Sequence, residues 1–202
     1  MMKTAYAAAS LAAFLGAAAL PPSAFADPVE YEFDKTHTAI RATWTHLGFS
    51  HQAIQFTDFD GVLMLDFEEP ANSTVDVTFN LADGFWVGAD QDRFVGHLSS
   101  PDLFNIAEYP TARFVATGFE TEDGETGQMM GDLTLLGQTH PVTLDVTLNQ
   151  RGPNPFSQTP TAGFTATGEI LRSQWGLGYA APAVSDEVRI EINTELTVVT
   201  EE

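Results

Sequence analysis

The chain of 202 residues contains no cysteine and few cations. Without cysteine it forms no disulfide and supports no thiol chemistry. Its 8 Lys and Arg stand against 28 Asp and Glu, which gives a formal net charge of −20. Such a surface repels nucleic acid and anionic lipid headgroups, so neither is expected as a partner. We attribute the excess of acidic residues to solubility.

The sequence also lacks an apolar run long enough to span a bilayer. Its most apolar stretch, 5–20, follows the lone charge of Lys3 and precedes a small-x-small pattern at 24–26. These features predict a cleavable secretory signal peptide over residues 1–26. An uncleaved N-terminal anchor is the alternative. Residues 27–202 are predicted to form a single domain, with a net charge of −21 once Lys3 is removed.

Apolar and polar residues alternate most regularly in residues 131–148, where Val142, Leu144 and Val146 share one face. A period of two is typical of a half-buried strand, and the short link 137–141 contains the Gly and Pro of a turn. The segment is therefore predicted to be a β-hairpin with one apolar face. Two strands cannot bury such a face, so more strands are required.

Eight segments in all show this alternation, and no segment of comparable length has helical spacing. The fold class is therefore predicted to be all-β, with eight antiparallel strands in an up-and-down barrel. The eight segments are 31–47, 63–67, 74–81, 111–119, 133–135, 142–148, 164–170 and 186–199.

One connection, residues 82–110, is too long for a hairpin loop. Within it, residues 90–98 are predicted to form a short helix, and Ser100 followed by Pro101 is predicted to open a second short helical turn. We therefore predict a short helical flap between strands three and four, lying over one end of the barrel.

Alternate links of an up-and-down barrel lie at the same end. The links 48–58, 82–110, 137–141 and 171–186 are therefore predicted to form one rim. They place four of the five histidines and all three tryptophans at that rim or just beneath it: His46, His51, His97, His140, Trp44, Trp86 and Trp175. Any chemistry at a barrel mouth is expected there.

Alternation alone does not show which face of the barrel is inside. An outer-membrane barrel is apolar outside and polar inside, with aromatic girdles. The acids on the polar faces, such as Asp76, Asp145 and Glu191, favour a polar exterior in water. An apolar interior of eight strands is then either a packed core or a ligand site. Small inward residues, namely Ala42, Ala116, Ala166 and Gly168, fit a cavity and the taper of a packed barrel equally well.

Four stretches together resemble the YceI-like family of periplasmic polyisoprenoid-binding proteins, and the resemblance covers residues 30–198 in the right order. They are DKTHTAIRATWTHLGFS (34–50), FVGHLSSPDLFNIAEYPTARF (94–114), GDLTLLGQTHPVTLDVTL (131–148) and GFTATGEILRSQWGLGYAAPAVSDEVRIEI (163–192). The resemblance implies a lipocalin-like barrel whose tunnel holds an isoprenoid chain, a periplasmic location, a homodimer and no enzymatic reaction.

From the inward parity and the resemblance we predict a binding protein for a long-chain isoprenoid lipid, either a quinone tail or a polyprenyl phosphate. The ligand is bound non-covalently, and no covalent cofactor is expected. The predicted ligand-binding residues are Ile40, Ala42, Trp44, His46, Phe79, Phe114, Ala116, Leu144, Phe164, Ala166, Arg172, Trp175 and Ile190.

Two polar members of this set have alternative roles. His46 either hydrogen-bonds a ligand headgroup or is a structural histidine. Arg172 either binds a phosphate or stacks on Trp44 or Trp175 and closes the barrel end. Because a strongly acidic protein opposes a bound pyrophosphate, the charge favours a neutral headgroup such as a quinone.

Two other classes of function also fit the sequence. A metal site formed by the rim histidines His46, His51, His97 and His140 is the first alternative, although none of their spacings is the tight pair of a strong zinc motif. A secreted scaffold with a filled core is the second. No nucleophile elbow or phosphate-binding glycine loop is present, so an enzyme is not expected.

Overall fold

The computed structural model describes residues 27–82, 85–86 and 89–200, and at 85–86 only the backbone. The predicted signal peptide, residues 1–26, lies outside the described residues. Among the described helices, none has the length and apolar character needed to cross a bilayer.

The described residues form eleven strands, one α-helix and two 3₁₀ turns, Pro70–Asn72 and Arg172–Trp175. The strands and the helix are β1 (Val29–Phe33), β2 (Ala39–His46), β3 (Ser50–Phe56), β4 (Phe59–Leu65), β5 (Thr74–Asn80), β6 (Phe85–Trp86), α1 (Gln91–Leu98), β7 (Thr111–Thr121), β8 (Thr126–Leu135), β9 (Gln138–Pro153), β10 (Pro160–Leu171) and β11 (Glu187–Val198).

The strands form one antiparallel sheet that closes on itself. Around the barrel, β1 pairs with β4, followed by β5, β7, β8, β9, β10 and β11, and β11 pairs again with β1. β11 contacts β1 over 196–198 and β2 over 189–193, so β1 and β2 lie end to end along it. The predicted all-β antiparallel closed barrel is confirmed.

The eight barrel strands become eleven because the first three are interrupted. β1 continues into β2, β4 pairs with β1 while β3 pairs with β2, and β5 and β6 pair with β4 and β3. Residues 48–58, predicted as a link, therefore contain β3, whose polar Ser50, His51 and Gln52 hide the alternation. Among the eleven strands the helix lies between β6 and β7, which in the eight-strand count is the connection between the third and fourth barrel strands.

The hairpin of β8 and β9 is confirmed, with a tighter turn than predicted. Leu136 and Gly137 have φ values of 51° and 70°. Positive φ at both central residues gives the two-residue turn that matches the twist of paired strands. His140 and Pro141 are therefore strand residues of β9, paired with Leu133 and Asp132.

The apolar faces of the strands point inward. On β2, Ile40 and Ala42 are buried while Arg41 is exposed, and on β9 Leu144 is buried while Asp145 is exposed. The acidic faces meet solvent. The predicted orientation is therefore confirmed.

One end of the barrel, here called the mouth, is formed by the β2–β3 turn, the β8–β9 turn and residues 81–110 and 172–186. The Leu47 N–H donates to the Ala183 carbonyl at 2.9 Å, and the rings of His140 and Trp175 lie 5.1 Å apart. The opposite, far end is formed by the loops 66–73, 122–125 and 154–159. The predicted common rim is therefore confirmed for those predicted rim residues whose side chains the structure describes. Trp86 is not one of them.

The helical segment covers the mouth where β5 and β7 separate. α1 occupies the predicted residues, but its N-cap Asp90 has a left-handed backbone and no side-chain cap. The second helical turn predicted at Ser100 does not form a helix. Instead, the Ser100 carbonyl accepts hydrogen bonds from the Leu103 and Asn105 amides in successive tight turns.

Candidate functional site

A cavity of about 660 Å³ runs through the barrel from the mouth to the far end. Its middle is lined almost entirely by apolar side chains of the strands, because those faces alternate inward. The interior is thus not filled by side chains, which contradicts the alternative of a scaffold with a packed core. The volume lies within the roughly 300–1,000 Å³ that small-molecule sites span.

Eleven of the thirteen predicted ligand-binding residues line this cavity. They come from β2, β5, β7, β9, β10, β11 and the turn after β10, so side chains far apart in sequence meet around one space. They are Ile40, Ala42, Trp44, His46, Phe79, Phe114, Leu144, Phe164, Ala166, Arg172 and Ile190. Ala116 and Trp175 do not line it.

Ala116 is screened from the cavity by a neighbouring ring. Its cross-strand partner on β8 is Gly131, and a Cβ on Gly131 would lie 2.2 Å from the Phe114 ring. The Phe114 ring therefore occupies the space beside Gly131, and Phe114, not Ala116, lines the cavity. The pairing register also shifts just after Ala116. Sequence parity does not reveal either effect.

Trp175 closes the barrel and does not line its interior. The side chain is fully buried, and its indole N–H donates to the Leu133 carbonyl at 3.0 Å. Its ring meets the edge of His140 at 5.1 Å. The 3₁₀ turn Arg172–Trp175 directs the indole over the end of the β8–β9 hairpin, which seals the mouth on that side.

Arg172 borders the cavity with most of its donors already used. Its Nε donates to the Ser185 carbonyl at 2.8 Å, and its Nη2 to the Tyr179 and Val184 carbonyls at 3.0 and 2.9 Å. Its Nη1 donates to the Leu177 carbonyl. The guanidinium therefore holds the loop that follows β10 in place. Of the predicted alternatives, closing the barrel end describes this geometry better than binding a phosphate.

Burial lowers the pKa of the Arg172 guanidinium, and the charge of nearby Asp186 opposes that shift. The Asp186 carboxylate accepts hydrogen bonds from the hydroxyl and the amide of Ser173, which lower its pKa. Both ends of this loop are thus fixed by charge-assisted hydrogen bonds.

The entrance is bordered by His46 and Trp44. His46 ends β2 with an exposed side chain and bridges to Val184 through the backbone. The Trp44 ring stacks on Phe94 of α1, with centroids 6.4 Å apart and planes 5° from parallel. The predicted inward parity of both residues agrees with their lining of the cavity, and the stack attaches the helical flap to the barrel wall.

The far end of the cavity has an aromatic floor. Phe67 stacks on Phe164 at 6.3 Å, Tyr31 meets Phe67 edge-on, and the Arg151 guanidinium lies 4.3 Å from the Phe67 centroid. A cation over an aromatic face stabilises such a cluster. The buried Asp66 lies in the neighbouring loop, 66–73.

The Asp66 carboxylate is engaged by its own loop and is not free for a ligand. Oδ1 accepts the Glu69 and Glu68 amides at 2.8 and 2.9 Å, and Oδ2 accepts the Asn72 side chain at 3.1 Å. These hydrogen bonds, with that from Glu69 contributing most, lower the pKa of Asp66.

The rim histidines do not form the metal site considered above. His51 contacts Thr45, His97 meets Tyr179 and His140 meets Trp175. In residues 27–82 and 89–200, the only three ligand-type side chains within 4.8 Å of one another are Asp34, His37 and Glu195, at the turn between β1 and β2. The Asp34–His37 contact is a 2.7 Å hydrogen bond.

Comparison with known proteins shows which family the chain belongs to. The model of the YceI-like domain matches residues 31–196, most of the chain. The chain belongs to the YceI-like family. Protein YceI of Escherichia coli O157:H7 is 36% identical over 168 residues, which cover 82% of this chain and 85% of that protein.

Solved structures agree on the YceI-like fold. Burkholderia cenocepacia BcnA superposes with a TM-score of 0.71 at 23% identity, over 81% of this chain and 98% of BcnA. A polyisoprenoid binding domain from Saccharophagus degradans, implicated in plant cell wall breakdown, gives 0.58 at 13% identity, over 85% of this chain and 99% of that domain. At these identities the likeness concerns the fold.

Several lining residues of the YceI-like cavity were not predicted. The flap supplies Leu98, Leu103 and Phe104, and the loop after β10 supplies Leu177 and Tyr179. Strand parity says nothing about these side chains because they lie outside the strands. Their apolar character within otherwise polar connections is the signal that could have identified them.

Proposed function

We propose that this YceI-like protein binds a long-chain isoprenoid lipid inside its barrel. The observation that carries the proposal is the continuous apolar cavity of about 660 Å³. An engineered apolar cavity of roughly 150 Å³ already takes up benzene, so a larger apolar space favours an apolar ligand over water. Burial at roughly 25 cal/mol per Å² supplies affinity without extensive headgroup contacts.

An isoprenoid suits this cavity better than a compact ligand because the space is long and bordered by rings at several levels. Trp44 stands near the mouth, Phe114 in the middle and Phe164 at the floor. A branched, flexible chain can contact all three levels. The S. degradans domain, which shares the fold, is described as polyisoprenoid-binding, and this supports the same ligand class here.

The headgroup in this proposal is neutral, as in a quinone. Among the described residues that line the cavity, Arg172 is the only Lys or Arg, and four backbone carbonyls occupy its donors. At the far end, Glu120 and Glu125 also line the cavity and would repel a phosphate. A quinone headgroup needs no counter-charge.

In this proposal the protein transports, stores or senses its lipid in the periplasm and performs no reaction on it. The predicted leader over residues 1–26 supports the location. Its support is the apolar wall of the cavity, where Arg172 and Asp66 are held by hydrogen bonds within the protein.

Titration of delipidated protein with ubiquinone and with polyprenyl phosphate tests the proposal. We expect saturable binding of ubiquinone at one site per chain and weaker binding of the phosphate. Ala166→Phe, which extends a ring into the cavity, is expected to abolish binding, whereas Thr167→Phe on the outer face of β10 is expected to preserve it. Equal uptake by both variants, or no uptake by the wild type, would contradict the proposal.

A further inference from the structure

The turn between β2 and β3 holds an exposed aromatic tip beside the cavity entrance. Leu47 and Gly48 adopt positive φ values of 54° and 73°, and Phe49 is 89% exposed. Leu47 is itself half-exposed and lines the cavity. Isolated exposed apolar residues are ordinary on protein surfaces, so the position of Phe49 matters more than its exposure.

The tip is joined to the loop that follows β10. Thr45 accepts a hydrogen bond from the Ser185 amide at 2.9 Å, next to the Leu47–Ala183 bond. In that loop Tyr179 is half-exposed and lines the entrance. Leu47, Phe49 and Tyr179 thus form one apolar edge of the entrance, here called the mouth edge.

The segments around the mouth edge contain no acidic residues. Three mouth segments, 42–57, 133–144 and 170–185, contain no Asp or Glu, although the chain has 28. The far-end loops 66–73 and 122–125 contain six. The described acids at the mouth are Asp90, Asp92, Asp102 and Glu108 on the flap and its connection to β7, and Asp186, whose carboxylate accepts hydrogen bonds from Ser173. The mouth edge itself is free of carboxylates.

From this placement we propose that the mouth edge docks on the surface of a zwitterionic phospholipid bilayer, with Phe49 entering the interfacial layer. The inference rests on the proposed lipid-binding function. An acidic protein approaches a membrane most easily through a surface free of carboxylates, and Phe, Trp and Leu side chains are favoured at the membrane interface. Docking there places the cavity entrance against the bilayer, so an isoprenoid moves between membrane and barrel without crossing water.

The test uses the purified full chain and phosphatidylcholine vesicles, with and without ubiquinone. Vesicle flotation measures docking, and transfer of ubiquinone into delipidated protein measures delivery. Phe49→Asp is expected to reduce both the bound fraction and the transfer rate about tenfold, which is the scale of losing most of the burial of one Phe. The amount of ubiquinone bound at equilibrium in detergent is expected to be unchanged, because Phe49 does not line the cavity.

The matched control is Phe156→Asp. Phe156 is 95% exposed in the β9–β10 loop at the far end, so it has the same chemistry away from the mouth. It is expected to dock and transfer like the wild type. Equal effects of the two substitutions would overturn the docking proposal.

The remaining outcomes separate this inference from the proposed function. Ubiquinone binding in detergent without any vesicle association would overturn docking and leave the lipid-binding function standing. Phe49-dependent flotation with no ubiquinone uptake would support docking and contradict the function. If Phe49→Asp changes only the oligomeric state in light scattering, the mouth edge is an interface between copies and the docking proposal is wrong.

Discussion

At the scale of single residues, the guanidinium of Arg172 makes four hydrogen bonds to backbone carbonyls beside the cavity. It is 8% exposed, and its four bonds to carbonyls span residues 177–185. A charged group is tolerated at such a site only when its donors are satisfied. The loop around it therefore depends on this one side chain.

Arg172→Met keeps the aliphatic stem and removes all the donors. We expect it to lower the free energy of unfolding by about 2–4 kcal/mol, because several carbonyls lose their partner in a mostly buried loop. Urea denaturation followed by tryptophan fluorescence measures this change. Unchanged stability combined with weaker binding of polyprenyl phosphate would instead make Arg172 a headgroup ligand.

Asp34 and His37 titrate as a pair on the outer surface. Hydrogen bonds from Thr36 and His37 hold the pKa of Asp34 at about 2, and the hydrogen bond to Asp34 and its charge raise the pKa of His37. The carboxylate stabilises the fold above its ordinary pKa and loses this effect as the pH falls toward 2. The stabilisation from protonated His37 is complete below about pH 6.5 and is lost as the pH rises through its raised pKa.

Asp34→Asn is expected to return the His37 pKa toward its ordinary value, which NMR titration of the imidazole measures. Asp145→Asn removes the same charge from β9 and is expected to leave the His37 pKa raised. An equal fall in both variants would mean that net charge, not the 2.7 Å contact, sets the pKa.

At the scale of elements, β10 packs so closely against β9 at Gly168 that no side chain fits there. A Cβ on Gly168 would lie 2.6 Å from Leu144 Cδ2 and 2.9 Å from the Thr143 carbonyl oxygen. A Cβ on Gly163 of the same strand would meet nothing closer than 3.9 Å. The two positions offer a matched pair within one strand.

Gly168→Ala is expected to destabilise the barrel by about 1–3 kcal/mol through overpacking, whereas Gly163→Ala is expected to be close to neutral. Thermal unfolding of the two variants and the wild type measures the difference. Equal unfolding temperatures for the two variants would show that β10 shifts freely relative to β9.

The flap is attached to the wall by the Trp44–Phe94 stack. Removing the ring by Phe94→Ala is expected to speed release of a bound isoprenoid by about 2–10-fold, because an aromatic pair contributes roughly 0.5–1.5 kcal/mol beyond its buried area. Stopped-flow transfer to detergent micelles measures the rate. An unchanged rate would mean that the ligand leaves by another route.

The sequence predicted those strands whose formation depends on the pattern of neighbouring residues in the chain. Strict alternation identified β5 and β9, and parity identified their inward residues. It missed β3, where the three residues from Ser50 to Gln52 are all polar and Ile54 alone is fully buried. It also misjudged Ala116 and Trp175, because a ring lying beside a glycine and an indole turned onto a hairpin depend on contacts between distant segments.

At the scale of the whole molecule, the barrel has two unlike ends around one apolar space. The mouth contains four of the five histidines, the flap and the mouth edge, and the far end has an aromatic floor and six acids in two loops. In the docking proposal, the ligand enters at the mouth. The proposed function requires that the space between the two ends receives a lipid.

Native mass spectrometry of the protein purified without added lipid tests that claim most directly. We predict a population of the protein that carries one non-covalent apolar molecule per chain. After extraction, this molecule is expected to be an isoprenoid. Ala166→Phe is predicted to lose this population, and Thr167→Phe is predicted to retain it. A bare mass for the wild-type protein, still bare after incubation with ubiquinone and with polyprenyl phosphate, would contradict the account.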